Sequence, residues 1–349
     1  MQGFCRKIMS NDKIIDRYYE QKRFDLYNSK IKGRKIIYLD LNFWIRLRDQ
    51  KELKDKLFLS KVKELSNSRK CIFPISQITF LEVLKQSDNE TLLQTISLID
   101  EFSEGVSIIT TEERIQLEIL YFLRSLDNCE LHDLDELVWI KIPFLLGYPN
   151  IDFMTVNSQK SFLDIIYNQS FTDLFNVIKS SGQEIKAFRF KDDIEALNYN
   201  KAVFSHQNNS FRKMFISEIE GYLFEYDLFI LDAIKLYFSN KENIDFNKYR
   251  SLIYDSCKSN KSSKELSVFK IFPELMASVR WDTDRKHKDG NDTMDFLHAS
   301  FALPYCDYFF TERELKTRIT QQKLDKVYDC QTEYNIDNII EILDSIICL

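Results

Sequence analysis

The sequence predicts an α/β fold, rich in helix overall, in which a central parallel sheet flanked by helices is interrupted by a large all-helical insertion. Three observations predict this. Near both ends of the chain, short β-forming runs alternate with segments of helical period, the pattern of a doubly wound sheet. The middle of the chain, from residue 119 to 284, carries helical patterns only. Glycine and proline are scarce, 7 and 5 among 349 residues, too few for a sandwich of many short strands.

Residues 1–35 read as a helical N-terminal extension. Ile36 to Asp40 (IIYLD) make a short apolar strand ending in an acid, and LNFWIRLRDQKELKDKL after it has helical period. The same grammar returns at Cys71 to Ser76, followed by QITFLEVLK, and more weakly at Val106 to Ile109, followed by TTEERIQLEILYFL. Thr110 or Thr111 is placed to cap that third helix, with Glu113 early in its first turn. Residues 36–118 are thus the first part of a core. The insertion, 119–284, is rich in Phe, Tyr, Leu and Ile, with breaks near Gly147 to Pro149, Ser180 to Gly182 and Ser256 to Ser263. Residues 285–349 supply the second part: a helix from Asp292 to Leu303, strands at Asp307 to Thr311 and Val327 to Cys330, and a closing helix from Ile336 to Ile347. Together the two outer pieces have the size of one ordinary α/β domain.

A formal charge of -6 argues against a protein that coats nucleic acid without specificity, which needs a broad basic surface. The most apolar stretch, Gly221 to Phe238, contains Glu225, Asp227, Asp232 and Lys235 and reads as a core helix, so no membrane span is expected. The 7 cysteines form no CxxC pair and read as reduced structural thiols. The N-terminus lacks the apolar run of a signal peptide, and the expected compartment is the cytoplasm.

Ligands of open α/β sheets bind beyond the carboxyl ends of the strands, and four regions deliver acids there. Asp40 ends the first strand, Glu82 lies on the helix after the second, Asp292 and Asp295 open the helix before DYFFT, and Glu312 follows that strand. Carboxylates gathered from distant segments share a site when Mg2+ or Mn2+ neutralises their repulsion, a constellation that points to metal-assisted hydrolysis. Asp292 and Asp295 share a helix face, and His298, three further on, is within reach of Asp295 or a substrate phosphate. Arg280, Arg285, Lys286, His287 and Lys288 precede the acidic helix and are placed to meet flanking phosphates. Plainer readings stand beside these. Asp40 and Asp292 are also N-cap candidates, Glu82 also suits an exposed turn, His298 a satisfied core histidine, and the basic run a solvated loop. The stripe Phe211, Phe215, Tyr222 and Phe229 reads as core.

YLDLNFW, SQITFLEVL and DFLHASFALPYCDYFFTER, in that order, resemble the signature of PIN-like nucleases. NDTMDFLHASFALPYCDYFFTERELK is similar to a bacterial branch of that family reading ND, two residues, D, two residues, HA, then PYCD and a strand ending in T-D. The resemblance covers the two outer segments only. It implies that Asp40, Glu82 and Asp295 hold the metal, Mg2+ or Mn2+, with Asp292 close by, and that Ser76 and Thr311 occupy small hydroxyl positions supporting the site. It departs at the fourth acid: Glu312 stands where the branch has Asp, and Arg313 where toxin-type members have it, which bears on a second metal. The implied activity is phosphodiester hydrolysis, RNA being the favoured nucleic acid, with toxin, phage-defence effector and RNA-processing enzyme all left open.

Two other readings compete. One is a catalytically inactive PIN-like scaffold that binds a protein or RNA partner, or a second copy of itself, through the aromatic insertion; its mark is metal binding without turnover. The other is a metal-independent ribonuclease, since Arg280 and His287 have a spacing similar to the loose Arg-to-His motif of HEPN ribonucleases. Its mark is cleavage that survives a chelator.

Overall fold

The computed structural model describes residues 13–127, 133–147, 154–180, 198, 203, 209–238, 244–259, 265–282, 284, 285 and 291–348. Six strands are found there: β1 (Lys35–Leu39), β2 (Cys71–Ile72), β3 (Val106–Ile108), β4 (Trp139–Lys141), β5 (Tyr308–Phe310) and β6 (Gln331–Glu333). Helix α1 (Lys13–Leu26) precedes β1, α2 (Leu41–Asp49) and α3 (Leu53–Asn67) lead to β2, and α4 (Gln77–Leu84) and α5 (Asn89–Ser103) lead to β3. After β3 comes α6 (Thr111–Leu126). Between β4 and β5 lie α7 (Val156–Tyr167), α8 (Phe171–Ser180), α9 (Phe211–Glu225), α10 (Asp227–Tyr237), α11 (Phe246–Ser259), α12 (Ile271–Trp281) and α13 (Asn291–Tyr305). The chain ends with α14 (Arg313–Gln321), α15 (Leu324–Tyr328), β6 and α16 (Ile336–Cys348).

The fold is therefore a helix-rich α/β structure whose four-stranded sheet is parallel throughout, in the order β2, β1, β5, β6. β1 is central, and its Ile37, Tyr38 and Leu39 are fully buried, as expected where helices cover both faces of a parallel sheet. Just past β2, Ile75 forms an isolated parallel bridge to Ser107 of β3, which places the separate two-stranded β3–β4 sheet beside this edge.

Local chemistry explains most boundaries. Gln50 adopts a left-handed conformation (φ 47°), which ends α2 and splits the long helix expected after the first strand; α3 then restarts with a reciprocal capping box between Glu52 and Asp55. Pro74 lacks an amide proton, consistent with β2 being shorter than the Cys71 to Ser76 run. The expected cap at Thr110 forms, with Glu113 completing its box. The strand expected at Val327 to Cys330 is displaced: residues up to Tyr328 are helical, Asp329 turns left-handed (φ 55°), and β6 begins at Gln331.

The expectation of an all-helical insertion is corrected by β4, which pairs antiparallel with β3. Trp139 and Ile140 of β4, Phe144, Leu163 of α7 and Phe171 of α8 join the same apolar cluster as the main sheet. A second cluster packs α9 to α12 against one face of α6, through Ile115, Ile119, Phe122 and Leu123. Helix α6 thus spans the expected boundary at residue 119 and has core on more than one side. The apolar stretch from Gly221 to Phe238 is split at Tyr226 between α9 and α10, and no described helix is long and apolar enough to cross a membrane.

Candidate metal centre

The chain winds outward from β1 through β2 to β3, then returns past β1 to β5 and β6 on its other side. In open α/β sheets ligands bind beyond the carboxyl ends of the two strands that adjoin such a reversal, here β1 and β5. Asp40 follows β1, and Thr311 and Glu312 follow β5.

The Asp40 amide donates to the Phe310 carbonyl (3.0 Å), extending the ladder by one step, and Asp40 then occupies the N-cap position of α2. An aspartate there ordinarily spends its side chain on first-turn amides, but Asp40 makes no such bond. Its Oδ2 accepts from the Thr311 hydroxyl at 3.0 Å, both residues being buried. Glu312 repeats the pattern at the start of α14: it is exposed, makes no capping bond, and hydrogen-bonds the Asp295 carboxyl. Plain capping accounts for neither acid.

Ser76 does cap. Its Oγ accepts from the amides of Ile78 and Thr79 (3.2 and 3.4 Å), fixing the start of α4 and so the placement of Glu82 in its second turn. Helix α13 packs against α4 and brings in Asp295 and His298. His298 is buried, with Nε2 2.8 Å from Glu82 Oε2 and Nδ1 2.7 Å from the Tyr38 hydroxyl. One carboxylate oxygen each of Asp40 and Glu82 and one ring nitrogen of His298 all lie within 4.8 Å of one another.

Burial pushes the Asp295 carboxyl far above the usual carboxylate range; Glu312, by charge and hydrogen bond, and then Asp40 and Glu82 push it further. Burial also acts to raise Glu82, but His298, by charge and hydrogen bond, with a smaller effect of Lys85, holds it below that range. His298 is the counterpart: burial acts to lower it, and Glu82 and Asp40 outweigh this, leaving it above its ordinary value.

Comparison with family models, curated proteins and solved structures finds no match to this chain. Carboxylates that hold one of their number protonated gain most from a cation, and hard oxygen donors suit Mg2+ or Mn2+. The residues present fit such an ion.

Of the residues singled out from sequence, Asp40, Glu82, Asp295 and Glu312 come together, with Thr311 and His298 touching them. The Asp292 carboxylate accepts from Arg285 Nη2 at 2.5 Å, and Arg285 also pairs with Glu314 at 2.6 Å. Arg280 pairs with Glu218 of α9; Lys286, His287 and Lys288 lie outside the described residues. Ser76 supports the site through the helix start and Tyr38, without touching an acid. Sequence reasoning missed Tyr38 and Thr79. Their one visible signal was spacing, two residues before Asp40 and three before Glu82.

Proposed function

We propose that this chain is a metal-dependent nuclease with a PIN-like core, hydrolysing phosphodiester bonds with RNA as its favoured substrate. The observation that carries the proposal is the convergence beyond the carboxyl ends of β1 and β5 of carboxylates that are spent on no helix cap, where burial first, and then Glu312, Asp40 and Glu82, push Asp295 towards its protonated form. Asp40, Glu82 and Asp295 are the proposed ligands. A divalent ion held there supplies a water of lowered pKa and positive charge against the phosphate oxygens. The chain's own part is positioning: Thr311 orients Asp40, His298 orients Glu82, and Glu312 contributes a longer, exposed carboxylate beside Asp295. The preference for RNA rests on the sequence resemblance, a weaker warrant than the chemistry of the site.

Purified protein is expected to cleave RNA or single-stranded DNA in Mg2+ or Mn2+ and to lose this in EDTA. Cleavage that persists in chelator would overturn the mechanism. Metal binding without turnover on any nucleic acid would favour the scaffold instead.

The exposed position of Glu312 yields a graded expectation. Glu312→Gln should lower the rate by about 10 to 100-fold, the usual cost of losing a partner behind a ligand, and recover partly as Mn2+ is raised; Glu312→Asp should be tolerated. Asp40→Asn should lose far more and show little rescue. Equal inactivity of Glu312→Gln and Asp40→Asn at saturating metal would make Glu312 a primary ligand.

A further inference from the structure

The three segments that deliver the proposed ligands meet at one buried hydroxyl, that of Tyr38. It touches Ser76 Oγ at 2.6 Å, Thr79 Oγ1 at 2.9 Å and His298 Nδ1 at 2.7 Å. All four residues are at most 1% exposed, so water does not reach them. Each ligand has a member of this hub one structural repeat away. Tyr38 lies two residues before Asp40 along extended backbone, Thr79 three before Glu82 on α4, and His298 three after Asp295 on α13.

The hub also has a direction. A tyrosine hydroxyl has one proton to give and two lone pairs, so these three contacts use it fully. The Ser76 and Thr79 hydroxyls each have one proton to place, and among the described residues the Tyr38 oxygen is the acceptor recorded for either. If both donate to Tyr38, then Tyr38 donates to Nδ1 of His298 and no buried donor is stranded. If Nδ1 donates to Tyr38 instead, Tyr38 must donate to Ser76 or Thr79, whose own proton then has no partner, and an unsatisfied buried donor bears its full desolvation cost.

The first arrangement gives a neutral His298 with its proton on Nε2. In the doubly protonated ring Nε2 carries a proton as well. Only the tautomer protonated on Nδ1 alone presents a lone pair at Nε2, and that lone pair would face a Glu82 carboxylate oxygen 2.8 Å away. We infer that His298 is a hydrogen-bond donor that positions Glu82, with Tyr38 fixing that role, and that the ion is held by oxygen atoms alone. The close grouping of Asp40, Glu82 and His298 would otherwise read as a mixed nitrogen and oxygen site, suited to Zn2+. An all-oxygen set favours Mg2+ or Mn2+. The second half of the inference rests on the proposed metal site; the first does not.

Two measurements on the full chain test it. In the metal-free protein, nitrogen-15 NMR of the His298 ring should show Nε2 protonated; an unprotonated Nε2 would overturn the donor role whatever the metal does. In the Mn2+-loaded protein, electron spin-echo modulation should show no directly bonded nitrogen. Calorimetric Mn2+ affinity should fall about 10 to 100-fold in His298→Ala and recover in large part in His298→Gln, whose amide again offers a donor. Directly coordinated nitrogen in the wild-type protein overturns this inference alone. A wild-type protein that binds no Mn2+ overturns the proposed function, and the all-oxygen site with it.

Discussion

Asp295→Asn is expected to abolish turnover and, in the same protein, to raise the melting temperature of the metal-free fold. The folded-state pKa of Asp295 is raised by burial first and then by Glu312, Asp40 and Glu82. The folded state therefore holds this proton more tightly than the unfolded chain, where the group titrates near its ordinary value of about 3.9. The stability it contributes is fully present below about pH 4 and is lost as pH rises through the higher folded pKa. At pH 7 wild-type protein without metal thus bears a penalty that asparagine lacks. Thermal melts should place the variant above wild type at pH 7 and close to it at pH 4. Added Mn2+ should stabilise wild type by mass action and leave the variant nearly unmoved. A variant that melts below metal-free wild type at pH 7 would contradict the repulsive centre described above.

The second large effect concerns a charge pair with no part in the proposed chemistry. Glu118 of α6 is fully buried, 3.7 Å from Arg114 Nε, and accepts from the hydroxyls of Tyr305 (2.6 Å) and Ser267 (2.7 Å) and the Val268 amide (3.0 Å). Arg114 in turn donates to the Ser300 hydroxyl at 2.6 Å and to its carbonyl, and stacks on Phe301. The network ties α6 to the far end of α13, the helix that carries Asp295 and His298. Burial keeps the Glu118 pKa above the carboxylate range even with Arg114 pulling it down. Glu118→Ala leaves the buried guanidinium short of its partner, and removing one member of such a pair costs about 3–5 kcal/mol. Urea denaturation should show that loss. The double variant Arg114→Met with Glu118→Leu should recover much of it, since well-packed apolar replacements of buried pairs are often neutral or better. A Glu118→Ala protein within about 1 kcal/mol of wild type would mean the pair is not held as described.

The outer segments were readable from sequence because their signals are local. An apolar run ending in Asp40 and the cap at Thr110 with Glu113 both act over a few residues, and both formed. What was not readable depended on the third dimension. The three residues of β4 lie in an aromatic segment without alternation, and their partner β3 is set by packing. In TTEERIQLEILYFL the charges Arg114 and Glu118 suit the wet face of a surface helix, yet α6 is covered on that face as well and both are buried. The ion pairs of Arg285 with Asp292 and Glu314 and of Arg280 with Glu218 join separate elements and have no local sequence signal. Tyr38 and His298 are 260 positions apart, a separation at which no periodicity speaks. From sequence the Asp40 side chain suits a helix cap as well as a ligand; in the fold it makes no cap bond and accepts from Thr311 instead.

The central claim, that Asp40, Glu82 and Asp295 together hold one catalytic cation, is tested most directly by the anomalous diffraction of crystals soaked in Mn2+. A peak bounded by oxygens of these three residues, with His298 still hydrogen-bonded to Glu82, is the predicted result. Ordered crystals with no peak beyond the carboxyl ends of β1 and β5, or with manganese bound only elsewhere, would contradict it.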